Sequence, residues 1–180
     1  MASYRAKLPV VSSGGAVIKS VQRNATIING TSLTKTIPLA FTVDISKAYI
    51  RGVKVVASST VTARDGPAIA VRATLTQSSV VLTRATYNSS DDKLTISFEV
   101  VEYSSGVSVQ RGQFSSSNTS NLIPISTIDA SRSLCESTWS GLAVDAAFSG
   151  YTELLDNTRI LISREYNATI LIAWQVVTYV

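Results

Sequence analysis

Lys93-Leu94-Thr95-Ile96-Ser97-Phe98-Glu99-Val100-Val101-Glu102-Tyr103 alternates with a period of two. Leu94, Ile96, Phe98 and Val100 fall on one side, and Thr95, Ser97 and Glu99 on the other. Successive side chains of a strand point to opposite faces, so this stretch reads as a half-buried β-strand. Residues 34–43 and 48–58 also look extended. Leu75 and Val80–Thr83 mark further strands, split by the polar Gln77-Ser78-Ser79. Asn88-Ser89-Ser90-Asp91-Asp92 is turn chemistry, and it predicts a hairpin of residues 80–86 with 93–103. Helical periodicity is almost absent, while Val, Ile and Thr favour pleated backbone. The chain is therefore predicted to be all-β.

The same strand returns later. Ile96-Ser97-Phe98-Glu99-Val100-Val101-Glu102-Tyr103 is matched by Ile172-Ala173-Trp174-Gln175-Val176-Val177-Thr178-Tyr179. Four more strings recur in the same order. Ser20-Val21-Gln22-Arg23 matches Ser108-Val109-Gln110-Arg111, and Ile37-Pro38-Leu39 matches Ile123-Pro124-Ile125. Asp44-Ile45-Ser46-Lys47 matches Asp129-Ala130-Ser131-Arg132, and Leu82-Thr83-Arg84 matches Ile162-Ser163-Arg164. The offset only falls along the chain, from 88 at Val21/Val109 through 86, 85 and 80 to 76 at Val100/Val176. Collinear order with losses between strands is the mark of an internal repeat, because loops tolerate deletion. The expected organisation is an extended N-terminal arm (1–17), β-repeat one (18–103) and β-repeat two (107–180), joined at Ser104-Ser105-Gly106. Each repeat has enough strands for a small antiparallel sandwich or half of a larger one.

The repeats serve as controls for each other. Arg23/Arg111 and Arg84/Arg164 are kept in both, which points to structural hydrogen bonds or ion pairs, with a twin ligand site as the alternative. On the final strand the inward series persists as Ile170, Ile172, Trp174 and Val176. The outward series changes from Thr95, Ser97 and Glu99 to Leu171, Ala173 and Gln175. An apolar second face implies cover by another layer or subunit. Leu171, Ala173 and Val177 are thus candidate subunit-interface residues, together with Val10 and Val11 of the arm, which could dock by strand addition.

Composition excludes several chemistries. The 180 residues contain no histidine and one cysteine, so there is no histidine-based triad, no histidine-bound metal and no internal disulfide. No catalytic residue, metal site or cofactor is expected. Net charge is +4 and the basic residues are scattered, so no nucleic-acid partner is expected. No apolar run approaches the length of a membrane span, and Met1–Gly15 has no apolar signal core, so neither membrane association nor secretion is expected. Glu99 and Glu102 lie three apart on a strand and point to opposite faces, which does not suit paired-carboxylate hydrolysis. Ser32-Leu33-Thr34-Lys35 fits an S-x-x-K string without its helix context or partner motifs. The Asn-x-Ser/Thr strings at Asn24, Asn29, Asn88, Asn118 and Asn167 follow from a turn-rich composition. Cys135, opposite Ile50 in the repeat alignment, reads as a small buried hydrophobe. Trp139, in the loop-like Glu136-Ser137-Thr138-Trp139-Ser140-Gly141, and Tyr151 are the candidate contacts for a partner or glycan.

Taken together, Ile18-Lys19-Ser20-Val21-Gln22-Arg23, the Asp44-Ile45-Ser46-Lys47 step, Arg72-Ala73-Thr74-Leu75-Thr76 with Leu82-Thr83-Arg84, and the closing Phe98-Glu99-Val100-Val101-Glu102-Tyr103 resemble a β-rich module of tailed-bacteriophage virion structural proteins. The resemblance covers repeat one well and repeat two more loosely. It implies a non-enzymatic virion part made in the host cytoplasm: capsid decoration, head or tail fibre, or a collar or tail element. Its partners would be copies of itself and other virion proteins. The alternative is an adsorption module that binds a glycan or host surface.

Overall fold

The computed structural model describes residues 15–57, 70–86, 93–141, 150–165 and 167–180. Repeat one contributes β1 (Val17–Asn29), β2 (Thr34–Pro38), β3 (Ala48–Ala57), β4 (Val71–Leu75), β5 (Ser79–Arg84) and β6 (Lys93–Ser105). Repeat two contributes β7 (Val107–Ser116), β8 (Ser120–Pro124), β9 (Ser133–Gly141), β10 (Gly150–Asp156), β11 (Arg159–Arg164) and β12 (Ile170–Tyr179). One 3₁₀ turn, Ala130–Arg132, precedes β9. The protein is all-β, in two halves.

The topology repeats with the sequence. Repeat one forms two three-stranded sheets, β1-β6-β3 and β2-β5-β4; repeat two forms β7-β12-β9 and β8-β11-β10. Every pairing is antiparallel. In each half the two sheets stack as a small sandwich. Val80 and Leu82 of β5 meet Leu94, Ile96, Phe98 and Val100 of β6, and Ile160 and Ile162 of β11 meet Ile170, Ile172, Trp174 and Val176 of β12. The alternating apolar series of the two final strands thus fill two separate cores.

The kept polar residues hold the same joints in both halves. Gln22 accepts from the Ala40 N–H at 2.8 Å and donates to Phe41 O at 3.0 Å; Gln110 accepts from the Ser126 N–H at 2.8 Å and donates to Ser126 O at 2.9 Å. Arg84 donates through Nε to Ser32 O at 2.9 Å and through Nη2 to Gly30 O. Arg164 does the same to Asn118 O and Ser116 O at 2.9 and 3.0 Å. Asp44 accepts from the Ser46 N–H and hydroxyl, and Asp129 from those of Ser131. These serine bonds hold both carboxyls below the ordinary aspartate range.

Two sequence expectations are corrected. Residues 80–86 and 93–103 do not form a hairpin. β5 sits between β2 and β4, while β6 sits between β1 and β3 in the opposite layer. A centre strand already has both hydrogen-bonding edges occupied, so neighbours in sequence go to different sheets. The Asn88–Asp92 turn lies outside the described residues. Glu136–Gly141 is not a loop but the greater part of β9. The joint is tight: Gly106 has φ +73°, and a Cβ there would lie 2.8 Å from Ala16 Cα.

Candidate functional site at the seam between the repeats

A third apolar cluster joins the two sandwiches. Tyr49, Val101 and Tyr103 of repeat one pack with Val107, Val177 and Tyr179 of repeat two. Tyr103 lies parallel to Tyr49 with ring centroids 6.4 Å apart and edge-on to Tyr179 at 6.1 Å. Ala16 and Leu134 close the cluster, so the end of the expected arm already belongs to the folded body.

The outward face of β12 makes the polar part of the seam. Strands β3 and β4 are edge strands of repeat one, each paired on one side only. The backbone of an edge strand leaves N–H and C=O groups open. Repeat two closes them with side chains. Gln175 accepts from the Ile50 N–H at 2.9 Å and donates to Ile50 O at 3.0 Å. Thr138 accepts from the Ala73 N–H at 2.9 Å and donates to Ala73 O at 3.3 Å. Arg111 donates to Ile45 O and Ala48 O. Gln175 and Thr138 each replace a neighbouring strand at one residue, while Arg111 spans the carbonyl of Ile45 before β3 and that of Ala48 at its start.

In repeat one the corresponding residues are an ion-paired surface group. Glu99 sits between Arg23 at 2.8 Å and Arg51 at 2.5 Å, and these bonds hold its carboxyl below the usual range. A glutamate at position 175 could accept from Ile50 N but could not donate to Ile50 O. The change from Glu99 to Gln175 therefore turns an ion-paired surface position into a docking position. Glu102 forms a separate network: burial acts to raise its pKa, but the Asp44 N–H and the Lys19 ammonium, each at 2.9 Å, hold it low.

Glu136 takes the position of Arg51. It lines a seam hollow of about 310 Å³ with Gly52, Val53, Thr138 and Gln175. Burial pushes its carboxyl up to about 7, against the pull of Arg51. Below pH 4.5 the group is protonated whether the chain is folded or not. Between pH 4.5 and 7 only the unfolded chain ionises, so stability falls as pH rises through this window. We expect the unfolding free energy of Glu136→Gln to exceed that of the wild type by up to about 3 kcal/mol at pH 8, with the gap closing toward pH 4.5. Urea titrations at several pH values check this; a constant gap would show that Glu136 does not titrate in the window.

The candidate interface and contact residues separate by location. Ala173 is 7% exposed and Val177 is fully buried, both against repeat one, so neither offers area to another subunit. Leu171 on the same face is half-buried. Val10 and Val11 lie outside the described residues. Trp139 is half-buried, with Nε1 donating to Ser137 Oγ at 2.8 Å and its ring over Gly150, where a Cβ would meet it at 2.7 Å. Tyr151 stands on the edge strand β10 and is 53% exposed. Cys135 packs on the repeat-two core, and burial pushes its thiol up to about 12, which keeps it a protonated, small apolar group. Among the described residues no group of three or more Cys, Asp or Glu side chains could hold a metal ion, and no helix is long and apolar enough to cross a membrane.

The outer sheet of repeat two carries exposed apolar side chains around one glutamate. Leu122 on β8 pairs with Leu161 on β11, and Leu161 pairs with Glu153 on β10. Tyr151 and Leu155 flank Glu153; Leu122 is 53% and Leu155 46% exposed. In repeat one the equivalent register is Thr36, Val81 and Thr74, with Arg72 in the place of Tyr151.

No family model, no curated protein and no solved structure matches this chain.

Proposed function

We propose that this chain is a non-enzymatic structural part of a tailed-phage virion, a capsid decoration, head or tail fibre, or collar or tail element. It would be made in the host cytoplasm and held in the particle by contacts with copies of itself and with other virion proteins. The observation that carries the reading is the exposed set Leu122, Tyr151 and Leu155, on a sheet whose repeat-one twin has Thr36 in the place of Leu122 and a half-buried Arg72 in the place of Tyr151. Leu122 is exposed where its equally exposed twin is Thr36, so an apolar side chain gained at that position supports a partner for the face. The resemblance of the repeated strings to phage virion modules supports the setting.

The test returns these positions to their repeat-one character. Leu122→Thr with Tyr151→Arg is expected to weaken self-association or incorporation into particles at least about tenfold, with little change in melting temperature. Sedimentation and mass spectrometry of purified virions read both effects. A copy number tied to capsid symmetry would favour decoration, and a few copies per particle a tail element. Unchanged assembly of the double variant would sink the proposed contact.

Exposure of Tyr151 favours one second reading, glycan or host-surface binding, because a flat aromatic on an edge strand can stack on a sugar ring. Glycan-array binding that disappears in Tyr151→Ala but survives in Leu122→Thr would select it.

A further inference from the structure

The outer sheet of repeat two differs from its twin in more than Leu122. In repeat one Leu75 pairs with Val80, and the Thr76 N–H then closes the turn on Ser79 O. In repeat two Leu154 pairs with Ile160 and Asp156 with Arg159, so Leu155 is one residue more, set in a β-bulge. Bulges re-aim side chains. Leu154 packs on the repeat-two core, and the extra leucine that follows it is exposed on the outer face.

The same face gains two opposite charges. Glu153 stands where repeat one has Thr74, and Arg159 where it has Ser79. Glu153 is exposed and has neither a hydrogen bond nor an ion pair among the described residues. Arg159 gives Nε and Nη2 to Asp156 and leaves Nη1 without a partner among the described residues. Leu161 sits at the corner between them. Glu153 is one strand away, about 4.8 Å across the sheet, and Arg159 is two residues away, about 6.8 Å along β11.

We propose that this face pairs with the same face of a second copy of the chain. The inference rests on the reading of the face as a contact surface, and it names the occupant. A two-fold axis in the contact plane over Leu161, bisecting those two directions, exchanges the Glu153 and Arg159 sites. Leu161 then meets Leu161 of the second copy, and Glu153 of each copy meets the free Arg159 Nη1 of the other. Leu155, at the far corner of the same rectangle, meets its own counterpart, and Tyr151 comes over Pro124. The strands of the two sheets cross at near right angles, one of the two ways in which sheets pack face to face. The opposite charges fix this orientation, since other rotations leave Glu153 against leucine. A three-stranded face is smaller than the about 800 Å² that each partner gives to a standard interface. A single contact is therefore weak, and its strength in a particle comes from repetition.

Sedimentation of the full chain at up to about 1 mM reads the pairing, and the wild type is expected to form dimers in that range. Glu153→Arg sets arginine against arginine, and Arg159→Glu sets glutamate against glutamate. Each is expected to weaken pairing at least about fivefold. In an equimolar mixture each new arginine faces a new glutamate, and the remaining native charges face each other. Mixed dimers should therefore return to within about twofold of the wild type. Glu153 makes no bond within the described residues, so Glu153→Arg should leave the melting temperature unchanged. It carries the test alone if Arg159→Glu loosens the β10–β11 turn. A wild type that stays monomeric, undiminished pairing by Glu153→Arg, or a mixture of two folded variants no better than its components would each overturn the second copy as occupant. Loss of the Leu122→Thr, Tyr151→Arg variant from particles in any of those cases would make the face a contact with another protein, so the two readings fail separately.

Discussion

Replacing Arg84 by methionine is expected to lower the unfolding free energy by about 3 kcal/mol. Arg84 is 1% exposed and donates to the Gly30 and Ser32 carbonyls, holding the turn between β1 and β2 against the end of β5. Methionine keeps much of the volume and donates nothing. The buried Gly30 carbonyl then loses a charge-assisted partner, which outweighs the relief of no longer burying a cation. Arg164→Met should act in the same direction but by less, about 2 kcal/mol, because its partner residues Ser116 and Asn118 are not buried and water can replace the lost donors. Urea unfolding of both variants gives the comparison. A loss below about 1 kcal/mol for Arg84→Met would mean that the turn holds without its clamp.

The second large effect is a coupling. Gly112 on β7 stands opposite Trp174 on β12, and a Cβ at 112 would fall 2.5 Å from Trp174 Cζ2. Repeat one solves the same position with Asn24 opposite Phe98. Gly112→Asn alone forces the indole out of its place and should cost about 3 kcal/mol. Trp174→Phe alone leaves a void in the repeat-two core and should cost about 2 kcal/mol. Together the two changes restore the repeat-one pair. The double variant is expected to be at least about 2 kcal/mol more stable than the sum of the single effects implies. A double-mutant cycle by chemical denaturation measures this directly, and additivity within about 0.5 kcal/mol would show that the two positions do not share space.

Much of the fold was legible because two signals reinforced each other. Period-two alternation marked Leu94, Ile96, Phe98 and Val100 as a core face, and all four are buried. The falling offset marked a strand-by-strand duplication, and the sheets repeat strand by strand. Gln22 and Gln110 were visible only as part of a repeated string. Their loop-clamping role depends on backbone groups at positions 40, 41 and 126, whose approach no local pattern encodes.

The misreadings have physical causes as well. Trp139 looked like a loop residue because Glu136, Ser137, Thr138 and Ser140 surround it. In β9, Ser137 shares the inward face with Cys135 and Trp139, and it is satisfied there by Thr152 Oγ1 at 2.7 Å and by the Trp139 indole. A hydrogen-bonded serine on a core face breaks the apolar alternation that marks a strand. The pKa of Glu136 was equally invisible, because it follows from burial by strands that lie far away in sequence.

The sequence by itself determined that this is an all-β chain, duplicated, without the groups for histidine-based chemistry, an internal disulfide or a thiolate cluster. It also marked the outward face of β12 as altered, since Leu171, Ala173 and Gln175 depart from their twins. What covers that face was decided only by tertiary structure. Gln175 bonds to Ile50 and Thr138 to Ala73, and both partners are backbone groups of edge strands. Whether an N–H or C=O is left open depends on a strand's place in its sheet and not on its side chain, so no residue type announces it.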